Sequence, residues 1–299
     1  MATSTEPDGA VNDLRPSDAR GLVHLAGHLG LLLLTGAGIA AARGSLWLLP
    51  AMLAHGIVLV FLFAPLHESV HRTAFRSRQL NDAVAWVCGL LLLAPPDWFR
   101  AFHFAHHRHT QIEGLDPELD AKRVETWRDY LVHLSGWRTW KSAATLVARN
   151  ALGRADYPYA LPRLRPRLVR EARIMLGVYA VVALAAVALR SPAPLLYWVV
   201  PALLGQPFLR AYLLAEHTGL PLVESMWENT RTTLTLAPVR FLAWNMPFHA
   251  EHHAHPGLPF HALPELHRRK RGKLLAVSPG YAAFYRDWQR RLAGKPALP

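Results

Sequence analysis

"APLHESVHRT", residues 64–73, carries the string His67-Glu68-Ser69-Val70-His71 at the end of a long apolar run. The string fits H-E-x-x-H, in which two helical histidines hold zinc and the glutamate activates water. Its surroundings suggest another setting. Residues 46–66 contain no Asp, Glu, Lys or Arg, and roughly twenty apolar helical residues cross about 30 Å of hydrocarbon. The histidine pair therefore stands where a membrane span ends.

Working outward, three more windows approach spanning length: 22–42, 172–189 and 195–215. Arg43-Gly44-Ser45 separates the first pair and residues 190–194 the second, so the sequence predicts two hairpins with both termini on one side. Composition agrees: of 299 residues 52% are apolar and 18% charged, against about a quarter charged in soluble domains. The formal charge of +12 is uneven. Arg15 and Arg20 precede the first hairpin, the middle segment runs from Arg100 to Arg170 with many basic residues, and "HRRKRGK" at 267–273 follows the second. By the positive-inside rule these regions and both termini are cytoplasmic. Headgroup contact and solubility account for the basic residues, and no nucleic-acid partner is expected. The single cysteine, Cys88, lies among apolar residues, which excludes an intrachain disulfide or a cysteine metal site and reads as packing.

The domain reading is a disordered tail over 1–21, a membrane domain with a cytosolic cap over 22–272, and a C-terminal cytosolic tail over 273–299. Residues 80–95 are short for a span and read as partly embedded or interfacial. Residues 160–170 read as a basic, proline-containing linker.

Seventeen histidines are spread unevenly. Three strings stand just outside the span ends: "HESVH" (67–71), "HFAHHRH" (103–109) and "HAEHHAH" (249–255). At about 100° per residue, positions three or four apart share a helix face, so the strings present two, three and three imidazoles to common faces. A zinc protease uses two histidines and one further ligand, which leaves His103, His106, His107, His249, His252 and His253 without a role. Eight imidazoles exceed even an octahedral shell, and two ions sharing them is the economical account. Glu68 then becomes a partner that holds a ligand ring.

In these spacings, between paired spans, the chain resembles the integral-membrane fatty acid desaturase family over roughly residues 22–272. Its boxes read H-x(3,4)-H, H-x(2,3)-H-H and H/Q-x(2,3)-H-H. The resemblance implies an all-α integral membrane fold: four transmembrane helices in two hairpins, with a cytosolic helical cap holding a di-metal histidine site. It implies two non-haem iron ions, O2 as co-substrate, and His67, His71, His103, His106, His107, His249, His252 and His253 as ligands. The family's ninth histidine falls between the last span and the third box, where His217 stands. Neighbours that would orient the ligands are Glu68, Glu216 and Glu251; His109 and His255, about 200° past the last ligand of their strings, read as facing away and serving as outer partners of the ligands or as headgroup contacts. Asp116 and Glu118 fit solvated surface and site neighbour equally well. His24, His28 and His55 read as packing or interface residues, and His55, inside a span, calls for a polar partner.

The function that the resemblance implies is oxygen-dependent desaturation of a lipid acyl chain. Electrons would come from an external carrier of the ferredoxin or cytochrome b5 type with its reductase. Hydroxylation or ketolation of a lipid, alkane or terpenoid is the alternative, because related enzymes carry similar boxes. A membrane zinc metalloprotease working through HESVH is a distant one. A metal transporter would place its histidines along a path inside the spans, whereas here they gather at the boundary.

Overall fold

The computed structural model describes residues 14–294. α1 covers Asp18–Ala42 and starts at Ser17, whose hydroxyl accepts from the Arg20 amide. α2 (Leu48–Val60) runs into α3 (Phe63–His71), which closes at Arg72 in the left-handed region. α4 (Arg78–Leu92) and α5 (Pro96–His109) meet at a 97° bend. α6 (Trp127–Leu134), α7 (Trp137–Ala151) and α8 (Arg165–Ala188) follow. A π-helical turn, Leu195–Val199, leads into α9 (Val200–His217), and α10 is Met226–Asn229. Beyond β1 (Thr232–Thr233) lie α11 (Ala237–Leu242), α12 (His249–Ala254) and α13 (Leu263–Lys270). β2 (Val277–Ser278) pairs parallel with β1, and α14 is Tyr281–Leu292.

Among the described residues four stretches are long and apolar enough to cross a membrane: Asp18–Ala42, Leu48–His71, Pro162–Ala188 and Leu195–His217. Their outer faces are bare hydrocarbon, with Leu33 76%, Leu184 70% and Val187 78% exposed. Water would penalise such faces, and lipid accepts them. The third stretch begins well before the expected window. Residues 165–170, expected as linker, form the first turns of α8 because Pro166 falls in the opening turn, where its missing N–H costs no hydrogen bond.

α2 and α9 cross backbone to backbone. A Cβ on Gly56 would lie 2.0 Å from the Pro201 carbonyl oxygen, and one on Gly205 2.2 Å from that of Gly56. Small residues permit this approach, and dispersion between the two surfaces then holds the pair without a hydrophobic drive. Polar ties finish the packing. His55 Nδ1 bonds the Thr35 hydroxyl at 2.8 Å and Nε2 donates to the Tyr197 carbonyl at 3.1 Å, which supplies the partners its sequence position demanded. His28 donates to the Val58 carbonyl at 2.9 Å and accepts from Trp244 at 3.4 Å. Cys88 packs with Leu62, Leu66, Val70 and Phe99.

Residues 1–13 of the expected tail, and 295–299, lie outside the described residues. Asp18 onward is helical, and the Asp18 carboxylate accepts from the Ser77 amide at 2.8 Å. Within 273–299, β2 and α14 are ordered elements, and Phe284 and Trp288 pack on Leu214 and Ala215 at the end of α9.

Candidate metal centre

Four helices deliver the histidines to one place. α3 ends with His67 and His71, α5 presents His103, His106 and His107, and α12 presents His249, His252 and His253. His217 is the last residue of α9. The bend at Leu93, held at φ 55°, turns the chain back so that the second string meets the first. The His67 and His103 rings stand 4.4 Å apart between centroids, His71 and His252 4.7 Å, and His107 and His253 4.0 Å.

Among the described residues, ring nitrogens within 4.8 Å of one another form two groups: His67, His71, His103, His107 and His252, and beside them His106, His217 and His253. His249 joins the edge of the smaller group, with its ring 4.5 Å from that of His253 and 5.1 Å from that of His217.

The donor set fits metal. His107 Nε2 lies 3.0 Å from His103 Nε2 and 3.1 Å from His252 Nε2, and ligands about 2.1 Å from one ion at right angles are about 3 Å apart. Both nitrogens of His67, Nε2 of His71, His217 and His253, and Nδ1 of His249 are buried without a hydrogen-bond partner. A buried polar atom left unpaired costs free energy, and eight of the nine clustered imidazoles sharing that condition makes sense if ions satisfy them. Burial first, then the neighbouring imidazoles, push His249, His252 and His253 well below the ordinary imidazole range, keeping their lone pairs free.

In the smaller group the opposite ring nitrogens are tied down. Nδ1 of His106 faces the Asp116 carboxylate at 3.0 Å, Nδ1 of His217 the Asn229 carbonyl at 3.1 Å, and Nδ1 of His253 the Thr110 hydroxyl at 3.1 Å. Each contact reads as Nδ1–H donating to oxygen, which leaves Nε2 for an ion. Thr110 can accept because its own proton goes to the His106 carbonyl at 2.7 Å. Burial pushes Asp116 up, but His106 and the amides of Gln111 and Glu118 outweigh it and hold the carboxyl below its ordinary range.

Glu216 approaches His249 Nε2 at 3.6 Å. Glu68, expected to hold a ring, instead accepts from the Thr73 hydroxyl at 2.9 Å and the Phe260 amide at 3.1 Å. It ties the first string to the segment that follows the third, through the Phe260 amide. Glu251 likewise accepts from Thr232 and His267, fixing α12 to β1 and α13 rather than a ligand ring. Among the described residues neither the His109 nor the His255 side chain bonds a clustered histidine, and His255 is exposed. His109 lies two positions beyond His107, about 200° around α5, and His255, at φ −140° and ψ 63°, has already left α12.

Sequence reasoning missed Thr110 and Asn229, and it left Asp116 open. It also missed Glu171 of α8, whose carboxylate accepts from the Asp97 amide at 2.9 Å and the Trp98 amide at 3.4 Å, capping α5 from another helix. Asp97 also pairs with Arg167. The carboxylate and that pair together fix where α5 begins. Left-handed non-glycine residues stand beside all three strings: Arg72, Gln111, and Trp244 with Asn245. Such conformations cost free energy that the surrounding packing must outweigh.

Comparison with known proteins places this geometry in context. The family described as "Fatty acid desaturase" matches residues 44–285. Dihydrorhizobitoxine desaturase of Bradyrhizobium elkanii is 26% identical over 314 aligned positions, which cover 95% of this chain and 83% of that protein.

Proposed function

The chain belongs to the fatty acid desaturase family, and on that premise we propose that it desaturates a lipid acyl chain, using O2 and two non-haem iron ions. The observation that carries the reading is the pair of adjacent buried histidine groups whose unpartnered nitrogens converge at the ends of apolar helices. His67, His71, His103, His107 and His252 would hold one ion. His106, His217, His249 and His253 would hold the other.

Bound iron with O2 supplies the one-electron oxidation that an unactivated C–H bond requires and that no side-chain acid or base reaches. The protein's share is geometry and exclusion of water. Asp116, Asn229 and Thr110 fix ring orientation and tautomer, and Glu216 stands beside His249 Nε2 at 3.6 Å. Phe99 stacks on His103 with centroids 5.3 Å apart, and Phe63 lies 6.1 Å from His67. With Leu62 and Leu66 they give the first group an apolar flank suited to an alkyl chain. Buried rings and apolar neighbours keep bulk water from the reacting carbon.

In this reading the spans pair as two hairpins, and the histidine site sits in a helical cap on the cytoplasmic side with both termini. The basic residues of that side suit a small acidic electron carrier of the ferredoxin or cytochrome b5 type, which reaches the protein with its reductase. Expression in a host lacking the gene, followed by lipid mass spectrometry, tests the activity. Acyl species lighter by about 2 mass units support desaturation, and species heavier by about 16 would assign oxygen insertion instead.

A further inference from the structure

Where α7 ends against the start of α8, a cavity of about 570 Å3 is lined by Gly153, Arg165, Pro166, Val169, Arg170, Arg173 and Ile174. It lies outside the histidine site and has mixed character. Arg165 donates to the Gly153 carbonyl at 2.8 Å and pairs with Asp156 at 3.2 Å, and Arg173 donates to the Ala151 carbonyl at 2.9 Å. Those bonds lock two arginine stems to the C-terminal end of α7. Among the described residues neither Arg170 nor Arg173 has a carboxylate partner, so two positive charges are presented together without internal compensation.

The cavity continues as an apolar track. Residues 170, 173, 174, 177, 181 and 184 recur at helical spacing and share one face of α8. Ile174, Val181 and Leu184 are all exposed on it. At Gly177 a Cβ would meet nothing within 4 Å, which leaves a shallow notch in the track between Ile174 and Val181. From residue 173 to 184 the helix rises about 16 Å, close to half of a 30 Å hydrocarbon core. A charged pocket at one end and a leaflet-deep apolar track below it match a headgroup and an acyl chain.

We propose that this cavity is a binding site for an anionic phospholipid, with the phosphate held by Arg170 and Arg173 and one acyl chain laid over Gly177 toward Leu184. Guanidinium forks bond phosphate oxygens in a bidentate way, and α8 also turns its positive end toward the pocket. A lipid seated there cements α7 to α8. Because Glu171 on the same turns caps α5, bound lipid steadies the base of the helix that carries three clustered histidines.

The test uses the full chain in detergent and native mass spectrometry, titrated separately with dioleoyl phosphatidylglycerol, dioleoyl phosphatidylcholine and inorganic phosphate. Wild type binds phosphatidylglycerol roughly 25-fold more tightly than phosphatidylcholine, at about fivefold for each of Arg170 and Arg173. Arg170→Gln/Arg173→Gln removes the preference, and Gly177→Leu weakens phosphatidylglycerol severalfold with every charge in place. Arg271→Gln/Arg286→Gln, two exposed arginines elsewhere, changes nothing. Should loss of the Arg173 tie unfold the double variant, Arg170→Gln alone carries the test with a fivefold loss. Equal binding of the two lipids, an equal loss in the 271/286 control, or displacement of phosphatidylglycerol by equimolar inorganic phosphate overturns the proposal.

Discussion

Asp116 shows how much of the site rests on side chains that touch no ion. Its carboxylate aims His106, and removing such a partner weakens metal binding by about 10- to 100-fold. Asp116→Asn is expected to lower affinity at the smaller histidine group by that factor and leave the larger group filled, as seen in a ferrous titration followed by metal analysis. Uniform weakening of both groups would remove the assigned pairing. The clustered histidines were legible because helical spacing puts i, i+3 and i+4 on one face. Asp116, Thr110 and Asn229 were not, because they act from loops and helix ends whose course no period dictates. Glu68 and Glu251 sit beside clustered histidines in sequence yet point to hydroxyls, a backbone amide and the His267 ring, since adjacent helical positions diverge by about 100°.

Among the elements, α5 depends on α8. A carboxylate at a helix start satisfies amides that have no intrahelical partner and opposes the dipole. Glu171→Gln is expected to cost roughly 1 kcal/mol, in the range of a lost cap, and to lower the thermal midpoint in detergent. An unchanged midpoint would show that α5 is held by other contacts. The α2/α9 crossing is less forgiving. Gly205→Leu drives a side chain into the Gly56 backbone, and overpacking costs typically 1–3 kcal/mol or more; the check is the same melting experiment, with Gly177→Leu on the open face of α8 as the tolerated comparison. Composition made the apolar spans legible, while their ends were less so. The 160–170 stretch reads as linker by its prolines and arginines, yet a proline in a first turn starts a helix as readily as it ends one.

At the scale of the molecule, the resemblance implied a membrane enzyme with its histidines gathered at one boundary, and the structure gathers them across chain separations of up to 186 positions, from His67 to His253. What the sequence could not show is how α4 and α5 accomplish this: a left-handed leucine and a 97° bend, with no glycine at the turn to signal it. The proposed topology makes a labelling prediction. Cys88 is buried and silent, so Ser45→Cys in the first turn and Arg154→Cys in the basic middle segment report sides independently. Ser45→Cys is expected to react with an impermeant maleimide in intact cells and Arg154→Cys after lysis; reaction of both from the same side would contradict the hairpin arrangement.

The central claim is that two neighbouring histidine groups each hold an ion, and metal stoichiometry tests it most directly. Anaerobic loading of the purified chain with ferrous iron, then desalting and inductively coupled plasma mass spectrometry, should give about two irons per chain, falling to about one in His217→Ala. A saturating value near one in the wild type, or an unchanged ratio in His217→Ala, would contradict the account.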